Sequence, residues 1–230
     1  EQILPKQHLV LGGEACSIEL INKIQSAAPS LTIYNHYGPS ETTVGVMIHK
    51  LDATALHHLQ GAIPLSDALS NCYVYVLDEQ LNPAPIGCLG DVYIGGAQLC
   101  HGYYQRPALT AQQFVPNPFY DADRDFSTRL YRTGDLGWVN NSGQLRLQGR
   151  ADHQIKIRGY RIEAGELESV LRRHKGIAQA LVRLDHHDDD DRLVAYLVAD
   201  TSLGGNDCLG ERETSDQLNK KTIQAYLRQH

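Results

Sequence analysis

The feature that most constrains this chain is the order of its first three segments. An apolar run, "HLVLGG" (8–13), ends on glycines; a stretch with helical spacing follows; a second apolar run, "LTIYN" (31–35), closes the unit. In the middle segment Ile18, Ile21, Ile24 and Ala28 recur near the helical period, Ser17 stands where a cap belongs, and Pro29 lies beyond the end. Strand, helix and strand in close succession predict a right-handed crossover between parallel strands. Residues 1–50 are therefore expected to form part of a doubly wound α/β sheet.

The pattern then changes. "NCYVYVLDEQLNPAPIGCLGDVYIGG" (71–96) reads as two strands around a Pro-containing turn, and "LYRTGDLGWVNNSGQLRLQGR" (130–150) as a second hairpin turning at "NNSG". Residues 65–150 are expected to be a small β-barrel or bent sheet. Beyond Arg150, "IKIRGYRI" is strand-like and "EAGELESVLRRHKG" places Leu167, Val170 and Leu171 on one helical face. "QALVRL" and "LVAYLVAD" form a strand pair, and "DQLNKKTIQAYLRQH" a closing helix. This alternation predicts a separate, small α+β lobe over 152–230, after a larger unit over 1–151. "DHHDDDD" (185–191) reads as a solvated loop between the late strands rather than a metal site, and "SLGGNDCLGERETSD" (202–216) as a connection.

Composition excludes several classes. The 230 residues are 42% hydrophobic and 21% charged with net charge −6, which gives no basic footprint for nucleic acid. No apolar run approaches the roughly 20 residues that cross a bilayer, and "EQILPKQHLV" does not have the build of a signal peptide. The chain opens almost directly on a strand, which suggests a piece of something longer. Cys16, Cys72, Cys88, Cys100 and Cys208 are odd in number, widely spaced and without a C-x-x-C pair, so buried free thiols and a reducing cytoplasm are expected. No G-x-G-x-x-G follows a strand, which disfavours a dinucleotide-binding oxidoreductase.

Four stretches combine glycines with acids or arginines beyond the needs of packing: "GGEA" (12–15), "YGPSE" (37–41), "YRTGD" (131–135) and "GRADHQIKIRGYRIEAGE" (149–166). Each alone is a plausible turn or hairpin. In this order they resemble the adenylate-forming enzymes, in particular the C-terminal portion of the adenylation domains of nonribosomal peptide synthetases. "NHYGPSE" is similar to the family's N-x-Y-G-P-[TS]-E element, and "GDVYIGGAQLCHGYYQRPALTAQQFVPNPF" to its G-E-L-x-I-x-G segment and the region after it. "YRTGDL" matches Y-[RK]-T-G-D-L, and "GRADHQIKIRGYRIEAGELE" matches the long G-R-x-D-x-Q-x-K-I-R-G-x-R-I-E-x-G-E-[IL]-E element at nearly every defined place. The departures are Asp91 for the usual Glu, His101 for Arg and Ala164 for Leu.

The resemblance implies a fold: the rear part of an adenylate-forming large domain, with a parallel α/β segment and a small barrel, followed by a small α+β lobe. It also implies a reaction. A carboxylic acid is activated with ATP to an acyl-adenylate, releasing pyrophosphate, and the acyl group passes to the phosphopantetheine thiol of a carrier protein. The parent chain would hold that carrier protein and condensation modules, and the substrate would be an amino acid or related carboxylic acid. By the same resemblance Glu41 contacts Mg²⁺, and its hard oxygens suit an ion that binds few protein carboxylates. Tyr37 neighbours the adenine, Gly38 and Ser40 stand close to the nucleotide, and Gly13, Glu14 and Ala15 form the edge that reads the base. Asp135 meets the ribose hydroxyls, since an ionised carboxylate only accepts hydrogen bonds, and Arg150 supplies planar donors. Asp152 would be the hinge and Gly159 would line the pantetheine channel, while Val10, Gly12, His36, Val44 and Gly45 would line the acyl pocket.

The family's glycine- and serine-rich phosphate loop and its late catalytic lysine do not occur in the 230 residues, so the chain alone is expected not to form an adenylate. Two alternatives stand beside this reading. An acyl- or aryl-CoA ligase would share the fold and use free coenzyme A, and a non-catalytic docking module would keep the fold without the chemistry.

Overall fold

The computed structural model describes residues 4–51, 63–123, 127–152, 154–157, 160–187, 190–200 and 220–228. The chain divides into two compact units, Glu1–Asp152 and His153–His230.

The first unit opens with β1 (His8–Gly12), helix α1 (Ile18–Ala27) and β2 (Thr32–Tyr37). β1 and β2 are parallel, with Gly12 opposite His36, as the crossover pattern predicts. Ser17 caps α1 by accepting the Leu20 N–H at 3.1 Å. Ile21 of α1 packs with Leu31, Ile33, Leu51 and Ile63 in a core under the sheet. On its other side the sheet continues antiparallel, through β3 (Met47–Lys50) and the short β4 (Asp67–Ala68). The connection from β2 to β3, residues 38–46, is long enough to reverse the chain but shorter than the dozen or so residues a parallel crossover needs.

The second sheet is antiparallel: β5 (Cys72–Leu77), β6 (Gly90–Gly96), β7 (Phe114–Pro116), β8 (Arg129–Val139) and β9 (Leu145–Arg150). β5 pairs with β6 and β8 with β9, the two expected hairpins. Helix α2 (Pro107–Gln113) precedes β7 and starts on a proline, whose missing N–H costs nothing in a first turn. Tyr37 and Met47 from the first sheet, with Val46 and Leu65 beside it, share a core cluster with Cys72, Val76, Val92, Ile94 and Leu145 from the second. Leu65 and Leu145 also exchange backbone hydrogen bonds at 2.9 Å. This shared core carries the end of β2 to β8.

In the second unit "IKIRGYRI" is two strands rather than one. β10 (Gln154–Ile157) and β11 (Tyr160–Glu163) pair antiparallel with Ile157 opposite Tyr160, so the chain reverses between them. Helix α3 (Ala164–Arg172) packs Ala164 and Leu171 against Ile177, Ala180 and Val182 of β12 (Ile177–His187), which pairs with β13 (Asp190–Ala199). The two late strands therefore reach into the "DHHDDDD" stretch that reads as a loop, with His186 opposite Asp191. Residues 188 and 189, like 202–216 and Cys208, lie outside the described residues. Helix α4 (Lys220–Leu227) closes the described chain. Among the described residues no helix is long and apolar enough to cross a membrane.

Candidate active site

The carboxyl end of β2, one of the two parallel strands, meets the bulged middle of β8 through Tyr37 and Asp135. Nucleotides commonly bind at such strand ends in α/β sheets. Three consecutive residues, Thr133, Gly134 and Asp135, set the acid. Gly134 adopts φ +77°, a left-handed backbone, and the β6–β8 and β8–β9 registers both shift here. Thr133 Oγ1 donates to Val92 O at 2.8 Å and accepts the Asp135 N–H at 2.9 Å, so the hydroxyl bridges a gap that the bulge leaves in the ladder. Asp135 is thereby turned inward and is 7% exposed.

Both oxygens of Asp135 are engaged. Tyr37 Oη donates to Oδ2 at 2.5 Å, and Arg150 Nη1 donates to Oδ1 at 2.7 Å. Asp135 and Arg150 are direct neighbours in the β8–β9 register, which places the ion pair without long-range coincidence. Arg150 divides its donors. Nη2 also donates to Thr133 O at 3.0 Å, while Nε and Nη2 each reach the Asp152 carboxylate at 2.7 Å. Burial, reinforced by the Asp135 charge, holds the Tyr37 phenol protonated well above a tyrosine's usual range.

Tyr37 is not laid open as a flat face. Its ring is 8% exposed and belongs to the core cluster shared by the two sheets. Gly38 follows because its missing side chain is needed: a Cβ there would lie 2.1 Å from the Val44 carbonyl oxygen. Pro39 leads into a one-turn 3₁₀ helix, Ser40–Thr42, and the chain leaves it through Thr43 and Val44, both at positive φ. Ser40 is exposed; Glu41, one residue on, is buried. Its carboxylate accepts a hydrogen bond from Tyr103 Oη at 2.7 Å, and its backbone carbonyl accepts the Cys100 N–H at 2.9 Å.

Of the residues expected to line an acyl pocket, Gly12, His36 and Gly45 come together at the ends of β1 and β2. His36 lies opposite Gly12, and its ring fills the space that Gly12 and Gly45 leave, 3.1 Å and 2.5 Å from where their Cβ atoms would be. Among the described residues no hydrogen bond engages the His36 ring. Val10 and Val44 are exposed on either side, as are Gly13, Glu14 and Ala15 beyond β1. Asp152 is the last residue of the first unit. Gly159 and Arg158 lie outside the described residues, and Lys156 is exposed on β10.

Two positions that brace the site escape the sequence reading. Thr133 looks like any hairpin threonine, and Tyr103 stands beside a second tyrosine, Tyr104, that is 87% exposed. Nothing in "GYYQ" tells the two apart. The departures from the family pattern are accommodated: Asp91 pairs with Arg132 at 3.1 Å despite its shorter side chain, and Ala164 is buried in the second unit's core.

For magnesium the donor chemistry fits. Among the described residues no three His, Cys, Asp or Glu side chains gather as a protein-built cage. Asp135 and Asp152 are both committed to Arg150, which leaves Glu41 as the carboxylate suited to an ion that relies on phosphate and water oxygens for the rest of its shell.

Known proteins resemble the chain both in sequence and in fold. The AMP-binding enzyme family model matches residues 4–104. The chain is 43% identical over 196 residues to the dimodular nonribosomal peptide synthase of Bacillus subtilis, covering 85% of this chain and 8% of that protein. The solved structure of a nonribosomal peptide synthetase protein containing adenylation and carrier domains matches with TM-score 0.73 and 29% identity, over 86% of this chain and 39% of the other. The Vibrio cholerae adenylation domain AlmE, solved with glycyl-adenosine-5'-phosphate, matches with TM-score 0.65 and 30% identity, over 76% of this chain and 32% of its own. The chain carries the match to the AMP-binding enzyme family over residues 4–104 and is related to the synthetases along most of its length. Within them it corresponds to the C-terminal portion of a nonribosomal peptide synthetase adenylation domain, and it spans only a small share of the relatives it matches.

Proposed function

We propose that this chain is part of an amino-acid-activating adenylation domain. In the first step an oxygen of the substrate carboxylate bonds to the α-phosphorus of ATP, and the bond to pyrophosphate breaks. In the second, a phosphopantetheine thiol on a carrier protein attacks the acyl carbon and AMP leaves. The single observation that carries this reading is the placement of Asp135. It is a buried acid fixed on a bulge, held by Arg150 and by Tyr37 at the end of β2.

Asp135 is suited to a ribose because two fixed oxygens match two vicinal hydroxyls. Arg150 beside it is suited to ribose or phosphate oxygens, since a guanidinium presents several donors in a plane. Preorganised donors and acceptors of this kind need not rearrange when the ligand arrives. Tyr37, Gly38 and Ser40, with the Gly13–Ala15 edge, would surround the base. Glu41 would meet magnesium, which neutralises phosphate charge when bound. Val10, Gly12, His36, Val44 and Gly45 would line the acyl pocket, with the His36 ring as its polar feature. Asp152 is proposed as the hinge and Gly159 as part of the pantetheine channel. The free thiols of Cys16, Cys72, Cys88 and Cys100 support a cytoplasmic enzyme.

The test is pyrophosphate exchange by the complete adenylation domain that contains this chain, run across a panel of amino acids. Exchange that depends on a particular amino acid is expected. Asp135→Ala removes two charge-assisted hydrogen bonds and should cut ATP use at least about a hundredfold. Unchanged ATP dependence in that variant would overturn the ribose role.

A further inference from the structure

Glu41 sits in a single turn of 3₁₀ helix, an element too short to fix a side chain by itself. A second segment, 98–103, grips that turn at three points. Thr43 Oγ1 donates to Gln98 O at 3.0 Å, the Cys100 N–H donates to Glu41 O at 2.9 Å, and Tyr103 Oη donates to Glu41 Oε1 at 2.7 Å. One contact holds the Thr43 side chain where the turn ends, one holds the Glu41 backbone, and the third sets the carboxylate.

The gripping segment is itself braced. Arg129 donates through Nη1 to His101 O and through Nη2 to Cys100 O, both at 3.1 Å, with its guanidinium 5.1 Å from the centre of the Phe114 ring. The Tyr103 ring meets Phe114 edge-on at 5.9 Å, and Phe114 in turn packs on Tyr131 at 5.0 Å. The Tyr103 backbone N–H donates to Thr110 Oγ1 at 2.9 Å. The phenol is thus located from its backbone, its ring and its hydroxyl. Tyr104, next in sequence, is exposed and has no such setting.

We propose that Tyr103 is a positioning residue for Glu41, holding the carboxylate in one orientation for a divalent cation that arrives with the nucleotide. The inference rests on the reading of Glu41 as the magnesium contact. Mg²⁺ demands near-octahedral geometry and tolerates misplaced oxygens poorly, so a lone carboxylate ligand gains from being set beforehand. Arg129 and the 98–103 segment transmit the rigidity of the second sheet to an acid that belongs to the first.

The experiment uses the complete adenylation domain and Mn²⁺ as a paramagnetic probe, titrated by EPR in the presence of a non-hydrolysable ATP analogue. Glu41→Gln is measured first. If it leaves Mn²⁺ affinity unchanged, the reading of Glu41 fails and the proposal with it. If it weakens Mn²⁺ binding, Tyr103→Phe should weaken it too, by about tenfold or more. Affinity for the metal-free nucleotide and the circular dichroism spectrum should stay as in the parent. Tyr103→Phe with unchanged Mn²⁺ affinity would overturn the positioning role while leaving the Glu41 reading intact. In the Glu41→Gln background Tyr103→Phe should add no further loss, because the group it sets is gone. An undiminished second loss would show that Tyr103 acts by another route.

Discussion

Gly134 is the residue on which the buried acid turns. Its backbone is left-handed, and a Cβ there would lie 2.5 Å from Asp152 Oδ2 and 2.6 Å from Arg150 Nη2. Gly134→Ala therefore meets two penalties. The backbone strain is about 1–2 kcal/mol, and the methyl group also displaces the Arg150–Asp152 pair. Denaturant unfolding should show the loss of stability, and ATP titration should show weaker binding, because Arg150 can no longer face Asp135 and Asp152 together. Full nucleotide affinity in this variant would show that the shared guanidinium is dispensable. The Thr-Gly-Asp trio is a common hairpin sequence. This one is set apart by the threonine hydroxyl bridging to Val92, a partner 41 positions away that no local pattern announces.

At the scale of elements, the turn between β2 and β3 decides where Glu41 stands. The Val44 backbone occupies the space where a side chain on residue 38 would be, and Val44 itself holds φ +69°, an outlying conformation for a β-branched residue. Gly38→Ala cannot keep this turn, since its methyl group would lie 2.1 Å from a carbonyl oxygen. It should weaken divalent-cation binding and nucleotide binding together, read by calorimetry; affinities equal to the parent's would mean that the turn is not what presents Glu41. Much of this level is legible in the sequence. The crossover, both hairpins of the second sheet and the late strand pair carry periodicity or turn residues within the segment itself. Three segments show what is not legible. β3 is only "MIHK", too short and too mixed for alternation to register, and it exists because β2 offers it an edge. "IKIRGYRI" alternates like one strand yet folds on itself. The acidic stretch after Leu184 is polar enough to read as loop, and strand pairing overrides that composition.

At the scale of the molecule, residues from position 36 to position 150 come to one place through a few registers and one core. Sequence motifs mark which side chains carry chemistry, because acids, guanidinium groups and glycines in that order have few other uses. They do not show that Asp135 is already satisfied by Tyr37 and Arg150, nor that Glu41 leans on Tyr103, since those partners lie in different sheets or outside any motif spacing. Both phenols are raised above the ordinary 10.0, Tyr37 chiefly by burial and then by Asp135, Tyr103 by burial and then by Glu41. A raised phenol favours the folded state while it stays protonated. That contribution is whole below pH 10.0 and is lost as pH rises toward the folded-state values. The unfolding free energy of the chain should accordingly fall above that pH, and less steeply in Tyr37→Phe. A flat profile through the alkaline range would contradict it.

Arg150, finally, is shared. A planar cation that serves two anions at once is a balance, not a fixture: whatever draws it toward Asp135 must loosen its hold on Asp152, where the first unit ends. Within the first unit, a ligand that engaged Asp135 would thus be felt at Asp152 through one shared guanidinium.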